Sequence, residues 1–69
     1  MNTADLSHRD HPALDFDAAA KYLGVSGSTI RRLARSGAVN WYRVGPRLVR
    51  FSLSDLDAFL AASRVESGR

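Results

Sequence analysis

The side chains able to do chemistry in this sequence lie between positions 28 and 50: Ser28, Thr29, Arg31, Arg32 and Arg35 in VSGSTIRRLARSG, then Arg43, Arg47 and Arg50 in YRVGPRLVR. A guanidinium is a planar fork of donors that keeps its charge and can serve two acceptors at once. On a helix, such a fork suits the O6 and N7 edge of guanine, a pairing worth about 1–3 kcal/mol of discrimination. Hydroxyls near a helix start, with free amides beside them, suit a phosphate or the cap of the helix itself, and Ser28 and Thr29 are open to both uses. Between Asp17 and Asp55 there is no acidic residue, and the same window also holds Lys21. Cations with no acid among them make a one-sign surface, which implies a polyanionic partner.

The elements that must position these groups follow from periodicity and caps. Ser26 suits the N-cap of a helix that ends before Gly37, with Ile30, Leu33 and Ala34 on its packing side and Ser28, Arg31, Arg32 and Arg35 spread over the other. Upstream, Asp15 caps and Asp17 begins a helix in which Phe16, Ala19, Ala20 and Leu23 recur at helical spacing, with Tyr22 beside them and Gly24 as the stop. Its alanines permit a close crossing, so the pair reads as a helix-turn-helix. After Gly37 the period falls to two. The alternation places Tyr42, Val44, Val49 and Phe51 inward and Trp41, Arg43, Leu48 and Arg50 outward, with Gly45-Pro46-Arg47-Leu48 as the hairpin tip and Arg47 held out there. In SLSD, Ser52 and Asp55 have the form of a capping box that starts a last helix with the stripe Leu53, Leu56, Phe59 and Leu60. The expected architecture is therefore mostly α with a small β-hairpin. An N-terminal arm spans residues 1–13, the domain 14–62 and a frayed tail 63–69.

Composition narrows the rest. A chain of 69 residues is one small domain, and with no cysteine it has no disulfide to staple it. His8 and His11 sit in the polar leader with no third ligand at useful spacing, so no metal or other cofactor is expected. Asp55 and Asp57 are two apart on a helix and point in different directions, which gives no acid and base pair, and neither catalysis nor a small-molecule substrate is expected. No run is long and apolar enough for a membrane span or a signal peptide, and a cytoplasmic location is the expectation.

With the order helix, turn, helix, basic hairpin, helix in place, AAKYLGVSGSTIRRLARSG, YRVGPRLVRF and SDLDAFL together resemble the small excisionase-type winged helix-turn-helix domains related to the DNA-binding domain of the MerR regulators. The resemblance covers residues 14–60. It implies that Ser28 to Arg35 enter the major groove and that Arg43 to Arg50 touch backbone and minor groove. Arg31 and Arg32 are the expected base readers, with Arg35 nearer a phosphate, and Arg47 is the expected wing-tip contact. Arg43 and Arg50, expected on one face of the hairpin, either join it or keep that face soluble. The resemblance also implies double-stranded DNA as partner, further copies on adjacent sites, DNA bending and a separate integrase steered towards excision. Three positions depart from the family's usual pattern: Gly27 replaces a longer residue, Asn40 a proline and Leu48 a basic wing residue. Trp41 and Leu48, both expected outside, are covered by the first helix or the arm, or else meet another protein. A small transcriptional regulator needs the same site chemistry, and a protein-interaction module with a basic docking face is the reading from another class.

Overall fold

The computed structural model describes residues 8–64. Helix α1, Phe16–Leu23, starts where the Asp15 carboxylate accepts the Ala18 amide at 2.9 Å, and Asp17 lies in its first turn, where the helix dipole favours an acid. It stops at Gly24, and the Val25 amide reaches back to the Ala20 carbonyl at 3.0 Å. Helix α2, Gly27–Ser36, opens at once, with the Ser26 hydroxyl accepting the Thr29 amide at 3.2 Å. Its far end closes on Gly37, whose φ of 85° is a left-handed angle that a side chain would oppose. There the Gly37 amide donates to Ala34 and the Ala38 amide to Leu33, so two otherwise orphaned carbonyls are satisfied.

Buried Ala19 and Ala20 of α1 meet buried Ile30 and Ala34 of α2, and the methyl-sized side chains let the two helices close on each other. Val39, Phe51 and Leu56 complete the core. Phe51 joins two parts of the fold. Its amide and carbonyl exchange hydrogen bonds with Leu14 at 2.7 and 3.0 Å, and its ring meets Phe16 edge-on with centroids 5.4 Å apart. The next residue, Ser52, is only 1% exposed and starts α3, Leu53–Ala62. Its hydroxyl accepts the Asp55 amide at 3.1 Å and donates to the Asp55 carboxylate at 2.9 Å, so this buried polar group is fully engaged.

Between α2 and α3 stands an antiparallel hairpin, β1 Tyr42–Val44 and β2 Leu48–Arg50. Tyr42 lies opposite Arg50, Arg43 opposite Val49 and Val44 opposite Leu48. This register corrects the expected alternation. The connection is Gly45-Pro46-Arg47, one residue shorter than the expected tip, and Leu48 already pairs in the ladder. A slip of one residue exchanges the faces of one strand relative to the other. Trp41 and Arg43 therefore share the core side with Val49 and Phe51, while Tyr42, Val44, Leu48 and Arg50 share the outer side. Trp41 is not a partner of Leu48, and Arg43 and Arg50 do not share a face.

The segment expected as a loose arm is structured from His8 onward. A 3-10 turn, His8–Asp10, packs on α3, where Arg9 pairs with Asp57 and the Ser54 hydroxyl donates to Asp10. At the other end Ser63 closes α3, its amide donating to Phe59 and Leu60. The rest of the expected arm and tail, residues 1–7 and 65–69, lies outside the described residues. Among the described residues no helix is long and apolar enough to cross a membrane.

Candidate nucleic-acid interface

On α2 the arginines are set by the packing of the opposite side. Ile30 and Ala34 are buried and Leu33 half-buried, which leaves Arg31, Arg32 and Arg35 exposed. They are not equivalent. The Arg31 guanidinium lies over the Phe16 ring, 4.5 Å from its centroid, an arrangement worth about 0.5–1 kcal/mol at an exposed site. Arg32 and Arg35 carry no ion pair among the described residues and keep their donors for a ligand. Ser28 and Thr29 belong to the cap: the Ser26 hydroxyl donates to Thr29 Oγ1 at 2.9 Å and lies 3.2 Å from Ser28 Oγ. Phosphate binding there would share oxygens already in use.

The wing extends the cationic surface. Trp41 lies against the last turns of α2, its indole Nε1 donating to the Ala34 carbonyl at 3.1 Å. What covers it is thus the second helix, not the first helix or the arm, although 37% of its surface is still exposed. Arg43 lies over the Trp41 ring at 5.7 Å and donates to the Pro46 carbonyl at 3.4 Å. A cleft of about 260 Å³ opens between α2 and the wing, lined by Phe16, Arg31, Ala34, Arg35, Trp41 and Val49. Arg47 is exposed at the loop, where Gly45 takes a φ of 73° and lets the chain reverse ahead of Pro46. Arg50 is half-buried on the outer side, bonded to the Val49 carbonyl at 2.8 Å. Among the described residues none of these wing arginines pairs with a carboxylate.

Asp55 and Asp57 are engaged elsewhere. Asp55 accepts from Ser52 and, at 3.4 Å, from the Asn40 side chain, which ties the entry of the wing to α3. Asp57 accepts the Tyr22 hydroxyl at 2.6 Å and pairs with Arg9. The guanidiniums of α2 and the wing thus form a surface without a carboxylate partner among the described residues, whereas Asp55 and Asp57 are engaged by contacts around α3. Such a surface can donate to base edges through a helix and to phosphates through both elements.

The family model of the helix-turn-helix domain matches residues 13–64. The chain belongs to that family. No curated protein matches it. As a helix-turn-helix domain it has α1 and α2 as the paired helices, the β1–β2 hairpin as the wing and α3 as the closing helix, and membership supports double-stranded DNA as the partner. Of the aromatic seats of this helix-turn-helix, Trp41 under Arg43 follows from the alternation, which puts the two residues on one face, whereas Phe16 under Arg31 escapes a reading by periodicity. It pairs residues from different elements, and only the position of Arg31 on the flank of α2, about 100° from Ile30, hints at it.

Proposed function

We propose that this helix-turn-helix protein reads a specific double-stranded DNA sequence and acts as an accessory factor of the excisionase type. Several copies fill adjacent sites near an attachment site, bend the DNA and direct a separate integrase towards excision. The observation that carries the reading is that Arg31, Arg32 and Arg35 of α2 and Arg43, Arg47 and Arg50 of the wing have no carboxylate partner among the described residues. In this reading α2 enters the major groove, where every base pair presents a distinct pattern, and the wing follows the backbone into the minor groove. A single domain of this size buries about 600–1,000 Å² against DNA, too little to select one site in a genome, so neighbouring copies supply the remainder. Leu48, at 51% exposed, with Tyr42 and Val44 beside it on the outer face, is the surface offered to a neighbour. The chain needs no catalytic step of its own. In this reading Asp55 and Asp57, which face separate partners, serve the fold.

Footprinting over the DNA flanking the protein's own gene tests this. Adjacent sites filled together beside an integrase attachment site are expected, whereas an isolated site over a promoter would replace the reading with a MerR-like transcriptional regulator. If about five to seven basic side chains meet phosphates, log K should fall against log salt with a slope of roughly −4.5 to −6. A slope near zero would instead favour a protein-docking role for the basic face.

A further inference from the structure

We propose that the cleft between α2 and the wing is a phosphate clamp: Arg31, seated on Phe16, and Arg43, seated on Trp41, hold one strand of the duplex backbone, and base reading on α2 is left to Arg32. This rests on the duplex-binding reading above and deepens it by dividing the arginines between two jobs.

The division starts from helical geometry. At about 100° per residue Arg31 stands a quarter-turn from buried Ile30, on the flank of α2, while Arg32 stands about 200° away and points from the core. The Arg31 guanidinium lies 4.5 Å from the Phe16 ring centroid, and both residues line the cleft. Arg43 repeats this 5.7 Å over Trp41, and Trp41 is itself held by its bond to the Ala34 carbonyl. Arg35 lines the same cleft, whose other walls, Phe16, Ala34, Trp41 and Val49, are uncharged and carry no carboxylate to compete for the cations. Arg31 and Arg35 thus line an otherwise uncharged cleft of about 260 Å³, and Arg43 lies over the ring of its Trp41 wall, a setting that suits a phosphate at the rim and the carbon edge of its sugar below. A fork already held against a ring loses less freedom on binding than a free arginine. Phosphate contacts fix register and orientation without reading sequence, and a clamp beside α2 would hold Arg32 against the bases.

The test compares wild type, Arg31→Ala, Arg31→Lys, Arg43→Ala and Arg32→Ala on two duplexes, one enriched from a random library by the wild type and one a scramble of it. Affinity is measured by anisotropy across a salt series, and thermal melting confirms that each variant folds. Arg31→Ala and Arg43→Ala should weaken both duplexes by the same factor and flatten the salt slope by roughly 0.9 each. Arg31→Lys should regain the slope, because the charge returns, while Arg32→Ala should collapse the preference for the enriched duplex. Loss of preference in Arg31→Ala, or an unchanged slope in both alanine variants, would overturn the clamp. If the wild type enriches no sequence, the sequence-reading role fails separately, and the slopes on an unselected duplex of the same length still uphold or overturn the clamp. No binding to any duplex would overturn both.

Discussion

Helix α2 and the wing present the same residue, arginine, from two scaffolds held in different ways. The helix is closed at both ends by its own residues, Ser26 and Gly37, and anchored by buried Ile30 and Ala34. Its arginines stand where a period of 3.6 puts them. The wing has strands of three residues, β1 is exposed along its length, and Trp41 and Phe51 at its root fix it to the rest of the domain. A two-stranded ribbon has little stability of its own, so its arginines stand where tertiary packing puts them. A short recognition element can thus be aimed by local chemistry when it is a helix, and must be aimed by its neighbours when it is a hairpin.

The sharpest way to break this contrast is to remove one anchor from each scaffold. Ile30→Ala should cost about 2–5 kcal/mol and Phe51→Ala about 3–5 kcal/mol, in denaturant unfolding, because both side chains are fully buried. A domain this small has about that much stability in total, so both variants should lose a cooperative transition. A mild effect of Phe51→Ala would detach the wing root from the core.

The face of β1 is tested by its neighbours Trp41 and Tyr42. Trp41→Ala removes the contact with α2 and the bond to the Ala34 carbonyl and should cost about 1–2 kcal/mol, whereas Tyr42→Ala on the outer side should stay within about 0.5 kcal/mol. The reverse order would restore the four-residue tip and its register. On the helix, Gly27→Ala should raise stability by about 0.4–1 kcal/mol, since a Cβ there meets open space and its φ is not positive. A loss would show that the entry to α2 is more constrained than its cap suggests. The smallest effect on folding belongs to Arg47→Ala, which should leave the unfolding midpoint unchanged within about 0.5 kcal/mol while lowering affinity for duplex DNA, because the exposed loop contributes little to the core. If that variant unfolds, Arg47 is part of the wing's structure and not its contact.

What the sequence by itself determined was what depends on neighbours along the chain. Asp15, Ser26 and Ser52 cap the three helices because a side-chain oxygen two or three residues from a free amide needs no distant partner, and Ala19, Ala20, Ile30, Ala34 and Leu56 fall inside because periodicity orients a helix. The cation-only window and its exposure on α2 follow from the same reasoning. Tertiary structure alone decided the hairpin faces. Alternation says which residues share a side of a strand but not which side is inner, and a loop of three residues or four reverses the answer for one strand against the other. The choice fell to contacts with distant elements: Trp41 fits over small Ala34 and bonds its carbonyl, and Phe51 pairs with Leu14 and packs on Phe16. The docking of Arg9 and Asp10 on α3 and the seating of Arg31 on Phe16 are of the same kind. Each joins residues that no local period connects, so only the folded chain brings them together.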